Sequence, residues 1–217
     1  MPQPMTLVIG NYNYSSWSLR AWITLRKTGA GFEVIRLPMD TSEFHERIGE
    51  YSPTRRVPVL IEGDLVIWDS LAISEFLAER FPMARLWPED VAQRAVARSI
   101  AAEMHSGLTA MREEFPMNCR ARDRHFEPSQ RAGEDLARVE QWLQTCRQLV
   151  PGSGPLFGHY TITDGMLIPV LLRFNTYCLA KTRLTQEYLD WVLRDADVME
   201  WMEHAAKEIE VIEHDER

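Results

Sequence analysis

The sequence predicts a small mixed α/β domain followed by an all-helical domain. Two observations carry this prediction. Over residues 1–82, short apolar runs alternate with helical patterns, and the last two runs flank the hairpin loop Glu62-Gly63-Asp64. Beyond Pro82 the apolar residues recur only at helical spacing. A strand-helix-strand unit requires a parallel strand pair, and a following hairpin adds antiparallel strands to the same sheet.

The elements of the first domain follow from local patterns. Leu7-Val8-Ile9 forms the centre of the first strand. The hydroxyls of Ser15 and Ser16 lie where they can cap the helix that follows, and Asp69 or Ser70 caps a later one. The predicted elements are a strand over 6–11, a helix over 16–28, a strand over 32–37, a helix over 41–49, strands over 57–61 and 65–67, and a helix over 70–81.

The helices of the second domain are predicted from apolar periodicity. Apolar residues from Ile100 to Phe115 follow spacings of 4, 4, 3 and 4, which predicts one long helix. Thr161 and Asp164 are placed as a capping box. Further helices are predicted over 136–149, 164–180 and 198–212, with an exposed loop over 116–128. The predicted boundaries are a first domain over 1–82, a linker over 83–92 and a helical domain over 93–217.

Composition excludes several classes of function. The 24 basic and 32 acidic side chains give a net charge of −8, which argues against a nucleic-acid partner. The apolar runs are too short for a membrane span, and Met1 to Met5 lacks the pattern of an export signal. The three cysteines show no metal-binding spacing and fit a reducing compartment. We therefore expect a cytoplasmic protein without a metal or a membrane partner.

The stretch Tyr14 to Arg20 is the most informative local feature. Hydroxyls at the start of a helix cap its N–H groups and can also face an anion held by the positive end of the helix. A thiolate is such an anion, and its pKa falls at a helix N-terminus.

Four motifs in order resemble the cytosolic glutathione transferases of the serine type, and the zeta class in particular. Ser15 to Arg20 is similar to the zeta signature Ser-Ser-Cys-Ser-x-Arg, with Trp17 in place of the cysteine. Val57-Pro58 precedes the third strand, where the family keeps a cis-proline. Asp69 to Ile73 resembles the family's acidic-Ser-x-Ala-Ile motif, and Thr161 to Asp164 its Ser/Thr-x-x-Asp box.

This resemblance implies a fold, an activity and a partner. The fold would be a thioredoxin-like N-terminal domain joined to an all-α C-terminal bundle. The activity would be a cytoplasmic, detoxifying transfer of the glutathione thiolate to small hydrophobic electrophiles. Glutathione would be the co-substrate, no metal would be needed, and the protein would be a homodimer.

The resemblance also implies how glutathione is bound. Ser15 would donate a hydrogen bond to the thiolate, with Ser16, Tyr12 and Tyr14 as alternatives. The backbone of Val57, before Pro58, would pair with the cysteinyl unit. The γ-glutamyl group would be held by Ser70 at its carboxylate and by Asp69 at its ammonium.

Other candidates surround these residues. Arg56, with Arg55 and His45, would reach the glycyl carboxylate. Trp17 would wall the site, and the absence of a cysteine at this position argues against thiol-dependent reduction.

The second substrate is the least determined part. Tyr12, His105 and Arg173 are candidates for its pocket. Glutathione-dependent isomerisation, as in maleylacetoacetate isomerase, is an alternative, although Arg173 lies three residues before the position at which that class uses an arginine. A peroxidase and a non-catalytic binding protein with this fold are the further alternatives.

Overall fold

The computed structural model describes residues 4–216, and its first part is a four-stranded mixed sheet covered by helices. The strands lie in the order β2-β1-β3-β4, with β1 parallel to β2 and antiparallel to β3. These elements are β1 (Met5–Ile9), α1 (Ser16–Lys27), β2 (Phe32–Arg36), α2 (Ser42–Tyr51), β3 (Val59–Glu62), β4 (Leu65–Trp68) and α3 (Ser70–Arg80).

Alternation along β1 places helices on both faces of the sheet. Leu7 and Ile9 are fully buried in the main core with α1 and α3, whereas Val8 packs in a separate cluster with Ile48 of α2. Successive side chains of a strand point to opposite faces, so a buried central strand is apolar throughout. This sandwich holds the starts of α1 and α3 on the same side of the molecule.

The second part is helical throughout its described elements. They are α4 (Val91–Ser106), α5 (Thr109–Glu114), α6 (Gln130–Leu149), α7 (Ile162–Thr176), α8 (Arg183–Val192) and α9 (Ala196–Lys207). The buried helix α7 lies at the centre and packs on α1 and α4. The capping box at its start is confirmed: Thr161 N–H donates to Asp164 Oδ2 at 2.8 Å, while Tyr188 donates to Oδ1 at 2.9 Å.

Three helix predictions are wrong in extent. The long helix through Phe115 is broken, because α4 ends at Ser106 and Leu108 adopts a left-handed φ of 57°. The last helix ends at Lys207, not at Ile212, and Ile209 beyond it is 89% exposed. Helix α8 was missed, and the helix predicted over 164–180 ends at Thr176.

The segments between helices also differ from prediction. The loop over 116–128 is exposed only in its later part, because residues 116–119 are buried. Cys119 N–H donates to Asn13 O at 3.1 Å, so this half of the loop packs against the first domain. Val91 and Ala92, predicted as linker, belong to α4. Within residues 4–216, no helix is both long and apolar enough to cross a membrane.

Candidate functional site

A cavity of about 750 Å³ opens where the starts of α1 and α3 face α4. Its volume falls in the range of small-molecule sites. Most of its lining was predicted: Ser15, Trp17, Arg55, Arg56, Val57, Pro58, Asp69, Ser70 and His105. Four further lining residues were not predicted: Met39, Phe44, Thr54 and Trp68. Trp68 lies directly before Asp69, so the end of β4 was the sequence signal for it.

Ser15 lies at the N-cap of α1 in a network of hydroxyls. Its Oγ accepts a hydrogen bond from Ser18 N–H at 3.3 Å and lies 2.8 Å from Ser18 Oγ. Gly10 N–H donates to Ser18 Oγ at 3.1 Å. In this pair the Ser15 hydroxyl donates to Ser18 Oγ, and because a hydroxyl proton rotates, the same proton can be turned toward a ligand in the cavity. Ser15 is 4% exposed, so any such ligand must reach it through the cavity.

Asp69 and Ser70 form the opposite end of the cavity at the start of α3. Asp69 Oδ1 accepts from Leu71 N–H at 2.8 Å, and Oδ2 lies 3.0 Å from His105 Nε2. Burial raises the pKa of Asp69, but the hydrogen bonds from His105 and from the helix amides outweigh it, and the net pKa is lowered. Asp69 is therefore a carboxylate at neutral pH. Ser70 is fully buried, and its Oγ has no partner within the described residues.

The segment before β3, residues 55–58, brings cationic side chains and backbone groups to the cavity. Val57-Pro58 is a cis peptide bond, as the sequence resemblance implied. Arg55 and Arg56 are exposed at the rim, and Ser52 Oγ holds the Arg56 backbone by donating to its carbonyl at 2.8 Å. The rim is therefore positively charged next to an extended backbone segment.

Trp17 stands between two guanidinium groups. The Cζ atom of Arg20 lies 4.2 Å from the Trp17 ring centroid, and the Cζ atom of Arg112 lies 5.0 Å from it. His105 packs edge-on against the same ring at 5.1 Å. Arg20 is 1% exposed; burial, together with Arg112 and Arg173, lowers its pKa well below the usual value. Stacking on Trp17 offsets part of the cost of this buried charge.

Several predicted residues lie outside this cavity. The Tyr12 ring packs against Trp201 and His204, which excludes it from the substrate pocket predicted for it. Ser16 is buried at the first turn of α1 and is not among the lining residues. His45 is also absent from the lining, where its neighbour Phe44 lies instead.

Tyr14 and Arg173 are occupied elsewhere. The Tyr14 hydroxyl donates to Glu216 Oε1 at 2.5 Å, on the side of the C-terminal segment. Arg173 is 5% exposed, and its Nε and Nη1 donate to the carbonyls of Phe115 and Pro169 at 2.7 and 2.9 Å. Its guanidinium group is thus buried and hydrogen-bonded to backbone carbonyls, which contradicts its predicted placement in the substrate pocket.

A smaller cavity of about 320 Å³ adjoins the first across the Trp17–His105 pair. It is lined by those two residues and by Ser106, Gly107, Thr109, Arg112 and Glu113. Sequence reasoning missed Arg112, because an uninterrupted helix from Ile100 to Phe115 hides the turn that forms this cavity. Gly107, which ends α4, was the available sequence signal.

Part of the chain is similar in sequence to known proteins. Residues 14–80 match the family model "Glutathione S-transferase, N-terminal domain". The rat maleylacetoacetate isomerase is 34% identical over 104 residues, which is 46% of this chain and 48% of the relative. Glutathione S-transferase 1 of Dianthus caryophyllus is 32% identical over 109 residues, covering 50% and 49%. The chain thus spans about half the length of the curated relatives it matches.

The similarity in fold extends over nearly the whole chain. A solved glutathione transferase homolog from Burkholderia GL BGR1 with bound glutathione aligns with a TM-score of 0.71 at 23% identity, over 94% of this chain and 98% of its own. Residues 14–80 thus match a glutathione S-transferase N-terminal domain, and the chain as a whole shares the two-part fold of the solved glutathione transferase homolog, a thioredoxin-like domain followed by a helical bundle.

Proposed function

We propose that this protein is a glutathione transferase that joins the glutathione thiolate to small hydrophobic electrophiles. The observation that carries the proposal is the 750 Å³ cavity, which Ser15 and Ser70 line from the starts of two different helices. Each helix N-terminus favours a negative charge. The tripeptide offers a thiolate and carboxylates to such sites.

The γ-glutamyl end of glutathione matches the start of α3. The Ser70 hydroxyl, which has no partner within the described residues, can hold its carboxylate at the positive end of the helix. Asp69, ionised at neutral pH, is the partner for its ammonium. At the other end, the exposed cations Arg55 and Arg56 lie at the rim, where the glycyl carboxylate would emerge.

Ser15 would act on the thiol by hydrogen bonding. A thiol of pKa about 8.5 is only a few per cent ionised at neutral pH. Lowering the pKa by about 2 units requires about 2.7 kcal/mol of preference for the thiolate. A hydrogen bond to a charged acceptor supplies about 1.5–3 kcal/mol, and the helix N-terminus adds up to about 2 kcal/mol. These two contributions are large enough together.

The Ser15 hydroxyl donates to Ser18 Oγ, which also accepts from Gly10 N–H. Rotation of the Ser15 proton about the Cβ–Oγ bond would turn this donor toward the bound sulfur. The thiol proton is released to water on binding. The thiolate then attacks the electrophilic carbon, a C–S bond forms, and the leaving group departs with its bonding pair.

The electrophile would occupy the smaller cavity behind Trp17 and His105. These two side chains line both cavities, so an electrophile there would lie beside the sulfur. Isothermal calorimetry with glutathione, followed by assay of its conjugation to an aryl halide, tests the proposal. Binding without conjugation would favour a non-catalytic binding protein, and absence of binding would refute the proposal.

Glutathione-dependent isomerisation is the second candidate. Two observations favour it: the 34% identity with the rat maleylacetoacetate isomerase over 104 residues, and Arg112 on the smaller cavity, where a carboxylated substrate would find a cation. Turnover of maleylacetone in the presence of glutathione would establish this activity. The absence of turnover by an enzyme that conjugates aryl halides would reject it.

We also propose that the protein is a cytoplasmic homodimer. Leu65 and Val66 of the edge strand β4 are 48% and 37% exposed, which supports a contact at this edge. Sedimentation equilibrium of the purified protein decides the assembly, and a monomer at micromolar concentration would contradict it.

A further inference from the structure

The segment after α9 returns to the loop that carries Ser15. We define the C-terminal strap as residues 208–216 and the Ser15 loop as residues 10–15. The strap lies about 200 residues away in sequence, yet it makes direct hydrogen bonds to this loop. No step of the proposed reaction has so far used these contacts.

Glu208 forms the centre of this contact. Its Oε1 accepts a hydrogen bond from Tyr12 N–H at 2.8 Å, and its Oε2 accepts from Asn13 N–H at 2.9 Å. The Glu208 side chain is 5% exposed, and Arg36 Nη1 lies 3.2 Å from Oε1. A buried carboxylate that accepts two amides beside a cation is fully satisfied, and hydrogen bonds to a charged acceptor are the strong ones.

The two hydrogen bonds that Glu208 accepts lie inside the turn that ends at Ser15. Ser15 N–H donates to Asn11 O at 2.9 Å, which closes a turn over residues 11–15. The two amides held by Glu208 belong to the middle of this turn. On the opposite side, Trp201 Nε1 donates to Tyr12 O at 2.8 Å. The backbone that sets the position of the Ser15 hydroxyl is therefore fixed from outside the first domain.

We propose that Glu208 is a positioning residue for Ser15. Its carboxylate fixes the backbone of the Ser15 loop, so that the Ser15 hydroxyl meets the sulfur at hydrogen-bond distance. This inference rests on the proposed function. A displacement of about 1 Å at a reacting group can lower the rate about 100-fold. Loss of the Glu208 hydrogen bonds would therefore affect the ionisation of the bound thiol more than the affinity for glutathione.

The test compares two variants of the strap. Glu208→Gln is isosteric, but its NH2 group faces one of the two amides, so only one of the two hydrogen bonds can remain. Glu210→Gln is the matched control, because Glu210 pairs with the same Arg36 at 2.7 Å but makes no hydrogen bond to the described backbone of the Ser15 loop. The readouts are the pKa of the bound thiol, the glutathione Kd and the exchange rates of the Tyr12 and Asn13 amides.

The inference gives a distinct pattern. In Glu208→Gln the bound thiol pKa should rise by about one unit, which is a tenfold fall in its ionisation constant, while the glutathione Kd at neutral pH changes by only about threefold. The two amides should exchange faster by about tenfold or more. Glu210→Gln should match the parent in all three readouts. A merely structural role would lower thermal stability without moving the thiol pKa.

The outcomes separate this inference from the function on which it rests. If the parent binds glutathione without ionising it, the proposed function fails and the role of Glu208 fails with it. If the parent ionises glutathione and Glu208→Gln retains its thiol pKa, only the positioning role is overturned. Should the glutamine variant not fold, Glu208→Asp keeps the charge and withdraws the carboxylate from the amides. Failure of both variants to fold would assign Glu208 to stability and overturn the inference.

Discussion

The two ends of the large cavity are built in different ways. At the start of α3, Asp69 caps its own helix through Leu71 and Ala72, and Ser70 follows directly in sequence. At the start of α1, the loop before Ser15 is held by groups far away in sequence, including Glu208 and Trp201. The end that binds a carboxylate is thus mostly local, whereas the end that faces the thiol depends on tertiary contacts. The two should therefore respond differently to mutation.

The largest effect is expected at the thiol end. Ser15→Ala removes the hydrogen bond to the sulfur, so the conjugation rate at a pH below the pKa of the bound thiol should fall about 10- to 100-fold, as about 1.5–3 kcal/mol of preference for the thiolate is lost. The glutathione Kd should change only a few-fold. Steady-state kinetics at saturating glutathione measure this.

Ser16→Ala is the matched control for that change. Ser16 adjoins Ser15 but does not line the cavity, so the variant should retain the parent rate within about twofold. If Ser16→Ala lost most of the conjugation rate while Ser15→Ala kept it, Ser16 and not Ser15 would be the donor to the thiolate.

The carboxylate end should affect affinity instead. Ser70→Ala removes a buried donor to a charged group, worth about 1.5–3 kcal/mol, so the glutathione Kd should rise about 10- to 100-fold. The pKa of the bound thiol should stay at the parent value. Calorimetry gives the Kd, and combining Ser15→Ala with Ser70→Ala should give additive effects. Strong coupling would show that the two ends are not separate.

The features that could be predicted from the sequence are those determined by residues close together in the chain. Caps, hairpin loops and apolar alternation lie within a few residues, so the β/α order, the Asp69-Ser70 start of α3 and the capping box at Thr161 could be predicted. The helix break at Leu108 depends on a left-handed residue that periodicity does not reveal. The positions of Tyr12 and Arg173 depend on partners from other helices and loops, so no spacing rule could place them.

A smaller, pH-dependent effect is expected at Asp69. Its folded-state pKa is lowered, so its ionised form stabilises the fold above the unfolded value of about 3.9, and this contribution is lost as pH falls through the lower folded pKa. Asp69→Asn keeps the acceptor for the helix amides but not the charge. It should cost about 1 kcal/mol or less at pH 6, since the side chain is 40% exposed.

Urea unfolding at several pH values measures this difference. The gap between parent and Asp69→Asn should shrink below about pH 4. A gap that is constant from pH 3 to pH 7 would show that the Asp69 charge contributes nothing to stability.

The smallest effect is expected at the rim. Arg56 is exposed, so its attraction for the glycyl carboxylate is screened by water and salt. Arg56→Gln should raise the glutathione Kd about two- to threefold at low ionic strength, and the difference should vanish near 0.5 M salt. A salt-independent effect would indicate a direct hydrogen bond instead of a screened charge.

Titration of the bound thiol tests the central claim most directly. The ultraviolet absorbance of the thiolate is followed against pH for glutathione bound to the parent protein and to Ser15→Ala. The account predicts an apparent pKa near 6.5 in the parent, about 2 units below the free thiol, and a return toward about 8.5 in the variant. Bound glutathione that titrates like free glutathione in the parent, or identically in both proteins, would contradict it.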